Sequence, residues 1–335
     1  MSSGVCAPPG TIVTTGAGGS AGGGGGFQGD GCVNLTVGFE GKTPTVVLLV
    51  DQSGSMNDKF PAGSNTTRWS VLRSALMDPT TGAVKQMESS VRMGLTMYTS
   101  NHGNDGGACP MLTEVGINLN NYAAINSVYQ AARPQSDTPT GESIAAVTAK
   151  LRNEPDPKYI VLVTDGLPDT CTDPDASNST QRQNAANAST VQAAQAAYAA
   201  GIGLFIMGVS SDIAPAHLQQ MANAGAGLDP ATTGSAAAKY YVASDNQADL
   251  ARQLSGIIGS TRTCVFHLQG TVTAGHASEG IVTLGGGQLV YNDANGFRLN
   301  NPSELEILGT ACDKIKNDNT ELVVSFPCDA VQIIK

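Results

Sequence analysis

The sequence is short of charge. Asp, Glu, Lys and Arg make up 14% of 335 residues, and the 18 basic ones are scattered rather than clustered. A nucleic acid or an anionic membrane surface needs a positive patch, so both are excluded as partners, and the net charge of −10 makes cations the more natural guests. No apolar run approaches the length of a membrane span. Histidine is scarce too: His102, His217, His267 and His276 accompany no Cys or Ser motif, which leaves acid–base or nucleophilic catalysis without a recognisable base. A Gly18-x-Ser20-x-Gly22 match to a hydrolase nucleophile elbow sits in a glycine run, with no strand before it or helix after it. These absences point to a binding protein and not to an enzyme.

Missing as well is any C-x-x-C pair, the usual sign of zinc or a redox dithiol. The seven cysteines, Cys6, Cys32, Cys109, Cys171, Cys264, Cys312 and Cys328, are spread along the whole chain, which reads as disulfides with Cys6 left over. An oxidising location follows, secreted or on the outer side of the cell envelope. The opening MSSGVCAPPG has neither an h-region nor a lipobox-like run before Cys6, so the signal peptide expected of a secreted protein is absent from this stretch.

What is present falls into three parts. Residues 1–31 contain GAGGSAGGGGG, a composition that buries no core and predicts a flexible tether. Over residues 32–262 strand and helix patterns alternate. TVVLLV (45–50), YIVLVT (159–164) and GLFIMGV (203–209) are apolar throughout, as central strands covered on both faces must be. Helical spacing marks 67–77, 142–152, 190–200, 217–224 and 246–258, a short strand is expected at 239–242, and the runs 91–98 and 112–119, joined by a Gly-rich loop, predict an edge hairpin. The expected fold is α/β: a doubly wound, Rossmann-like, mostly parallel sheet with one antiparallel edge strand. Residues 263–335 change texture to short strand-like segments without helix signals, and predict a small all-β module.

Three segments in the α/β part carry oxygen ligands. Asp51-Gln52-Ser53-Gly54-Ser55 ends the most apolar strand, Thr138-Pro139-Thr140-Gly141 opens a helix, and Thr164-Asp165-Gly166 ends a second strand. Ligands of an open α/β sheet sit beyond the carboxyl ends of its strands where strand order reverses, and all three segments belong there. The donors suit a hard cation: hydroxyls from Ser53, Ser55 and Thr138, charge from Asp51 and Asp165. Helices expected just after Ser55 and just after Thr138 would aim their N-terminal dipoles at the same place and favour an anion there. The alternative, that these residues only cap helices, does not need three such loops at one edge.

On these residues the chain resembles the von Willebrand factor A domains. The D-x-S-x-S motif of their metal-ion-dependent adhesion site matches at Asp51, Ser53 and Ser55, their threonine loop at Thr138 and their second aspartate at Asp165. The resemblance implies one bound Mg²⁺, with Mn²⁺ or Ca²⁺ as alternatives, docking an acidic group of a protein or other ligand in adhesion; a structural subunit of a surface assembly is the alternative role. The cysteines also resemble a secreted bacterial subset in which a Cys-containing β module follows the domain. Among the connectivities open to six cysteines, the pairs expected are Cys32 with Cys264, Cys109 with Cys171, and Cys312 with Cys328.

Overall fold

The computed structural model describes residues 35–36, 39–41, 43–101, 107–209, 214–243, 247–317, 320–327 and 330–332. The glycine-rich stretch, Cys6, Cys32, His102 and Cys328 lie outside the described residues. In chain order the strands are β1 (Leu35–Thr36), β2 (Phe39–Gly41), β3 (Thr45–Asp51), β4 (Arg92–Thr99), β5 (Met111–Asn118), β6 (Lys158–Thr164), β7 (Ile202–Gly208) and β8 (Tyr241–Val242). They interleave with helices α1 (Arg68–Met77), α2 (Ala83–Met87), α3 (Tyr122–Ala131), α4 (Thr140–Leu151), α5 (Thr180–Ala199), α6 (Pro215–Gly225) and α7 (Gln247–Ser260). The described residues fall into two compact units, one within 44–261 and one made of those from 262 onward with those before 44.

The first unit is a six-stranded sheet in the order β5-β4-β3-β6-β7-β8, parallel except for β5, which pairs antiparallel with β4. This is the doubly wound sheet with an antiparallel edge that the apolar runs imply. Strand β3 shows why: all seven of its residues are buried, and their alternation feeds two separate cores. Val46, Leu48 and Val50 pack with α1, α2 and α7 residues such as Leu72, Val84 and Leu254, whereas Val47 and Leu49 pack with Ile144, Val191 and Leu218 from α4, α5 and α6. A strand covered on both faces has no polar side to present, hence its continuous hydrophobicity.

Two helical features depart from the pattern. No helix follows Ser55 directly: only a 3₁₀ turn, Gly54–Asn57, forms there, and α1 starts at Arg68. The intervening Phe60-Pro61-Ala62-Gly63-Ser64 segment breaks the helix, and a reciprocal capping box restarts it, with Thr67 Oγ1 accepting from the Ser70 amide (3.2 Å) and Ser70 Oγ from the Thr67 amide (2.9 Å). Helix α3 is unexpected, although Ile125 and Tyr129, four residues apart, are fully buried on its inner face.

The second unit holds strands β9 (Val265–Leu268), β10 (Thr271–Val272), β11 (Ile281–Leu284), β12 (Gly287–Leu289), β13 (Phe297–Asn301), β14 (Glu304–Ile307), β15 (Leu322–Phe326) and β16 (Val331–Gln332). They form sheets β1-β15-β11-β12 and β13-β14-β9-β2 and the pair β10-β16, all antiparallel. Strands β1 and β2 thus belong to this unit, not to the α/β domain whose boundary the sequence pattern places at residue 32. The unit is not all-β: helix α8 (Gly309–Asn317) buries Ala311 and Ile315 one helical turn apart, and Asn295 Oδ1 accepts from the Thr310 amide (2.9 Å) and hydroxyl (3.0 Å) at its start. The same helix carries Cys312, which is disulfide-bonded to Cys264 with a Cα–Cα distance of 5.6 Å. This corrects both expected pairs involving these residues, Cys32 with Cys264 and Cys312 with Cys328. Cys264 sits just before β9, and the helix unforeseen in sequence brings Cys312 to it.

On α6, His217 is 3% exposed, and neither ring nitrogen has a hydrogen-bond partner. Burial lowers its pKa from 6.5 to about 4. The folded chain therefore holds this ring neutral while the unfolded chain takes up a proton below pH 6.5. Stability from this residue is complete above pH 6.5 and is lost as pH falls toward 4, by about 3 kcal/mol. Urea unfolding of the parent and of His217→Leu at pH 7.5 and pH 4 should show a parent that loses more stability on acidification than the variant; equal losses in both would contradict this.

Candidate metal centre

The strand order reverses at β3, since β4 lies on one side of it and β6 on the other. The carboxyl ends of β3 and β6 therefore deliver Asp51 and Asp165 side by side at the topological switch point. Both carboxylates are fully buried, Ser53 is 1% exposed, and Ser55 and Gly166 are partly open.

A chain of hydrogen bonds joins four of the five expected residues. Asp51 Oδ1 accepts from the Ser53 amide at 2.8 Å and Asp51 Oδ2 from Thr164 Oγ1 at 2.6 Å. Ser53 Oγ and Ser55 Oγ lie 3.0 Å apart, and Ser55 Oγ donates to Asp165 Oδ1 at 2.8 Å. Gly166 lies beside this array: a Cβ there would stand 3.5 Å from Ser55 Oγ, at van der Waals contact.

Thr138 comes in on a separate loop that is held by backbone bonds. The Gly54 amide donates to Ser136 O (3.0 Å), and the Gln135 amide donates to Gln52 O (2.8 Å). Asp169 latches the same loop, its amide donating to Thr138 O (2.9 Å) and its Oδ2 accepting from the Thr138 amide (3.3 Å). Helix α4 begins two residues after Thr138, so of the two helix N-termini expected at the site only this one is present. Behind the loop, Cys109 and Cys171 form the expected disulfide, with a Cα–Cα distance of 5.4 Å, and the Cys171 amide donates to Glu142 Oε1 at 2.8 Å.

The electrostatics are those of a site short of positive charge. Burial raises the Asp51 pKa to about 7, the Asp165 charge adds to the rise, and the bonds from Thr164 and Ser53 oppose it. Burial also raises Asp165, opposed chiefly by Arg68 and Ser55. Asp169 is pushed up to about 6, again mainly by burial. Two adjacent buried carboxylates carry a cost that a cation relieves. Among the described residues no three His, Cys, Asp or Glu side chains cluster as metal ligands. A cation here must therefore draw on hydroxyls, and the Ser53 and Ser55 oxygens are placed to supply them. Oxygen donors of this kind fit Mg²⁺ or Mn²⁺ with part of the shell left to water.

Two participants are not evident from sequence spacing. Thr164 appears in sequence only as a strand end, yet its hydroxyl anchors Asp51. Arg68 opens α1, and its Nη1 donates to Asp165 Oδ2 at 2.9 Å, an ion pair with an acid 97 positions away that no local pattern signals.

Comparison with known proteins agrees with the sheet. The chain is similar in structure to the PilB minor pilin of Streptococcus sanguinis, with 17% identity, a TM-score of 0.50, and coverage of 65% of this chain and 61% of the pilin. It spans about three fifths of that protein's length. Further similar structures are manganese-loaded TRAP of Plasmodium vivax (15% identity, TM-score 0.44, 75% of this chain and 89% of that one) and the vWF domain of the pilus tip protein Mfa5 of Porphyromonas gingivalis (13%, 0.44, 68% and 97%). No curated protein matches the sequence significantly. The model of the von Willebrand factor type A domain matches residues 45–253, more than half of the chain and all of the six-stranded sheet, and the chain belongs to that family.

Proposed function

We propose that this chain is a divalent-cation-dependent adhesion or ligand-binding protein of the cell surface, and not an enzyme. The observation that carries the reading is the bonded array Asp51–Ser53–Ser55–Asp165 at the carboxyl ends of β3 and β6. Asp51, Ser53, Ser55, Thr138 and Asp165 would hold one Mg²⁺, with Mn²⁺ or Ca²⁺ as substitutes. A bound cation supplies an electrophilic position at which a carboxylate of a partner docks. The chain's own contribution is to fix the hydroxyls, bury the two carboxylates and leave the Ser55 and Gly166 side open. Both disulfides suit an oxidising location outside the cytoplasm, and no described helix is long and apolar enough to cross a membrane.

The second reading is a structural subunit of a surface assembly. It follows the likeness to a minor pilin, which at 17% identity speaks for the fold alone. One experiment separates the two. Purified protein is incubated with a host-cell surface fraction in Mg²⁺ and in EDTA, and its own association is followed by gel filtration in both. Capture abolished by EDTA and restored by Mg²⁺ supports adhesion. Self-association indifferent to metal, with no EDTA-sensitive capture, would replace it with the structural role.

A further inference from the structure

Arg68 is 10% exposed in its side chain and faces an acid that is not exposed at all. Its Nη1 lies 2.9 Å from Asp165 Oδ2, 3.3 Å from the exposed Asp58 Oδ2 and 3.5 Å from the Ser55 carbonyl oxygen. The placement is built into the fold. Arg68 is the first residue of α1, its amide donates to Asp58 O at 2.9 Å, and the Thr67–Ser70 capping box fixes the helix start. One oxygen of Asp165 is thus held by Ser55 and the other by a guanidinium.

We propose that Arg68 is a built-in counter-cation of the metal centre: it pairs with Asp165 in the cation-free domain, competes with a divalent cation for that carboxylate, and leaves the loaded centre positively charged toward an anionic ligand. The Asp58 carboxylate on the other side of Arg68 is exposed and screened by water. Among the buried groups, Asp51 and Asp165 ionised carry two negative charges, and Arg68 reduces them to one net negative. A divalent cation turns that into one net positive, whereas without Arg68 the loaded centre would be neutral. Like charges a few ångströms apart in a partly buried setting repel by an amount that changes affinity tenfold or more. Cation affinity is thereby exchanged for attraction of a carboxylate. The cation-free domain also stays folded, because removing one member of a buried pair leaves the other uncompensated.

This inference rests on the metal-site reading, and the test separates the two. The full chain, Arg68→Met and Arg68→Lys are titrated with Mn²⁺ by calorimetry at pH 8 and melted in EDTA and in Mn²⁺. Arg68→Met should bind Mn²⁺ about tenfold more tightly than the parent, melt several degrees lower in EDTA and recover in Mn²⁺; Arg68→Lys, which keeps the charge, should stay near the parent in affinity. If the parent binds Mn²⁺ and Arg68→Met binds it no more tightly, or melts no lower in EDTA, the counter-cation role is wrong while the metal site stands. An Arg68→Met chain that remains unfolded in millimolar Mn²⁺ also overturns it. Binding by Arg68→Met but not by the parent upholds the competition and sinks the metal-dependent function. Absence of Mn²⁺ binding in all three chains removes both.

Discussion

Asp51→Ala is expected to weaken Mg²⁺ or Mn²⁺ binding by roughly a thousandfold, about 4 kcal/mol. The carboxylate does three things in the structure. It supplies one of the two buried negative charges, its Oδ1 pins the Ser53 amide, and its Oδ2 takes the Thr164 hydroxyl. Removing it takes away charge and releases the loop that presents the Ser53 and Ser55 oxygens. The fold should survive, because burial and the neighbouring Asp165 already make an ionised Asp51 costly in the cation-free domain. Asp51→Asn separates the two contributions, since it keeps the shape and removes the charge. Calorimetry on the full chain, with circular dichroism to confirm folding, reads the effect; parental affinity in Asp51→Ala would show that the cation binds elsewhere or not at all.

Replacing both Cys109 and Cys171 by Ser should destabilise the α/β domain by up to about 4 kcal/mol, the chain-entropy value for a bridge spanning 62 residues. The effect should reach the metal centre as well. Cys171 lies two residues beyond Asp169, which latches the Thr138 loop, and its own amide is bonded to Glu142 on α4. With the bridge gone, the segment after β6 keeps only non-covalent ties, among them those two bonds, the bond from Gln183 Nε2 to Pro168 O (2.8 Å) and the Arg182–Asp173 ion pair. Mn²⁺ affinity should therefore fall together with stability, by roughly tenfold, as when an outer-shell partner of a metal site is lost. Urea unfolding and calorimetry on the double variant measure both. Unchanged stability would mean that the bridge closes a loop already held by packing.

The legible and illegible parts of this protein divide along sequence separation. Strands β3, β6 and β7 announce themselves because burial on both faces leaves only apolar residues, and Asp51 and Asp165 stand out as the acids that end two of those runs. The edge hairpin β4–β5 is readable because its two strands are close in sequence and differ in pattern. Strands β1 and β2 are two and three residues long, too short for any period to show, and only their pairing with β15 and β9 defines them. Helix α8 conceals itself in a charged stretch where Ala311 and Ile315 are its buried apolar residues, and with it goes the key to the Cys264–Cys312 pair. At the site, the donors with motif spacing are legible. Arg68 is not, because its role depends on where a capping box after a Pro- and Gly-containing loop places the first turn of α1.

The central claim is that one divalent cation sits between the Asp51-to-Ser55 loop and Asp165, and diffraction from crystals grown with Mn²⁺, using its anomalous signal, tests this most directly. A single strong anomalous peak is expected beside the Ser53 and Ser55 hydroxyls, with Thr138, Asp51 and Asp165 around it directly or through water, and it should be absent from crystals of Asp51→Ala. Crystals of the parent protein with no peak there, or with the peak at another cluster such as Asp169, would contradict the account.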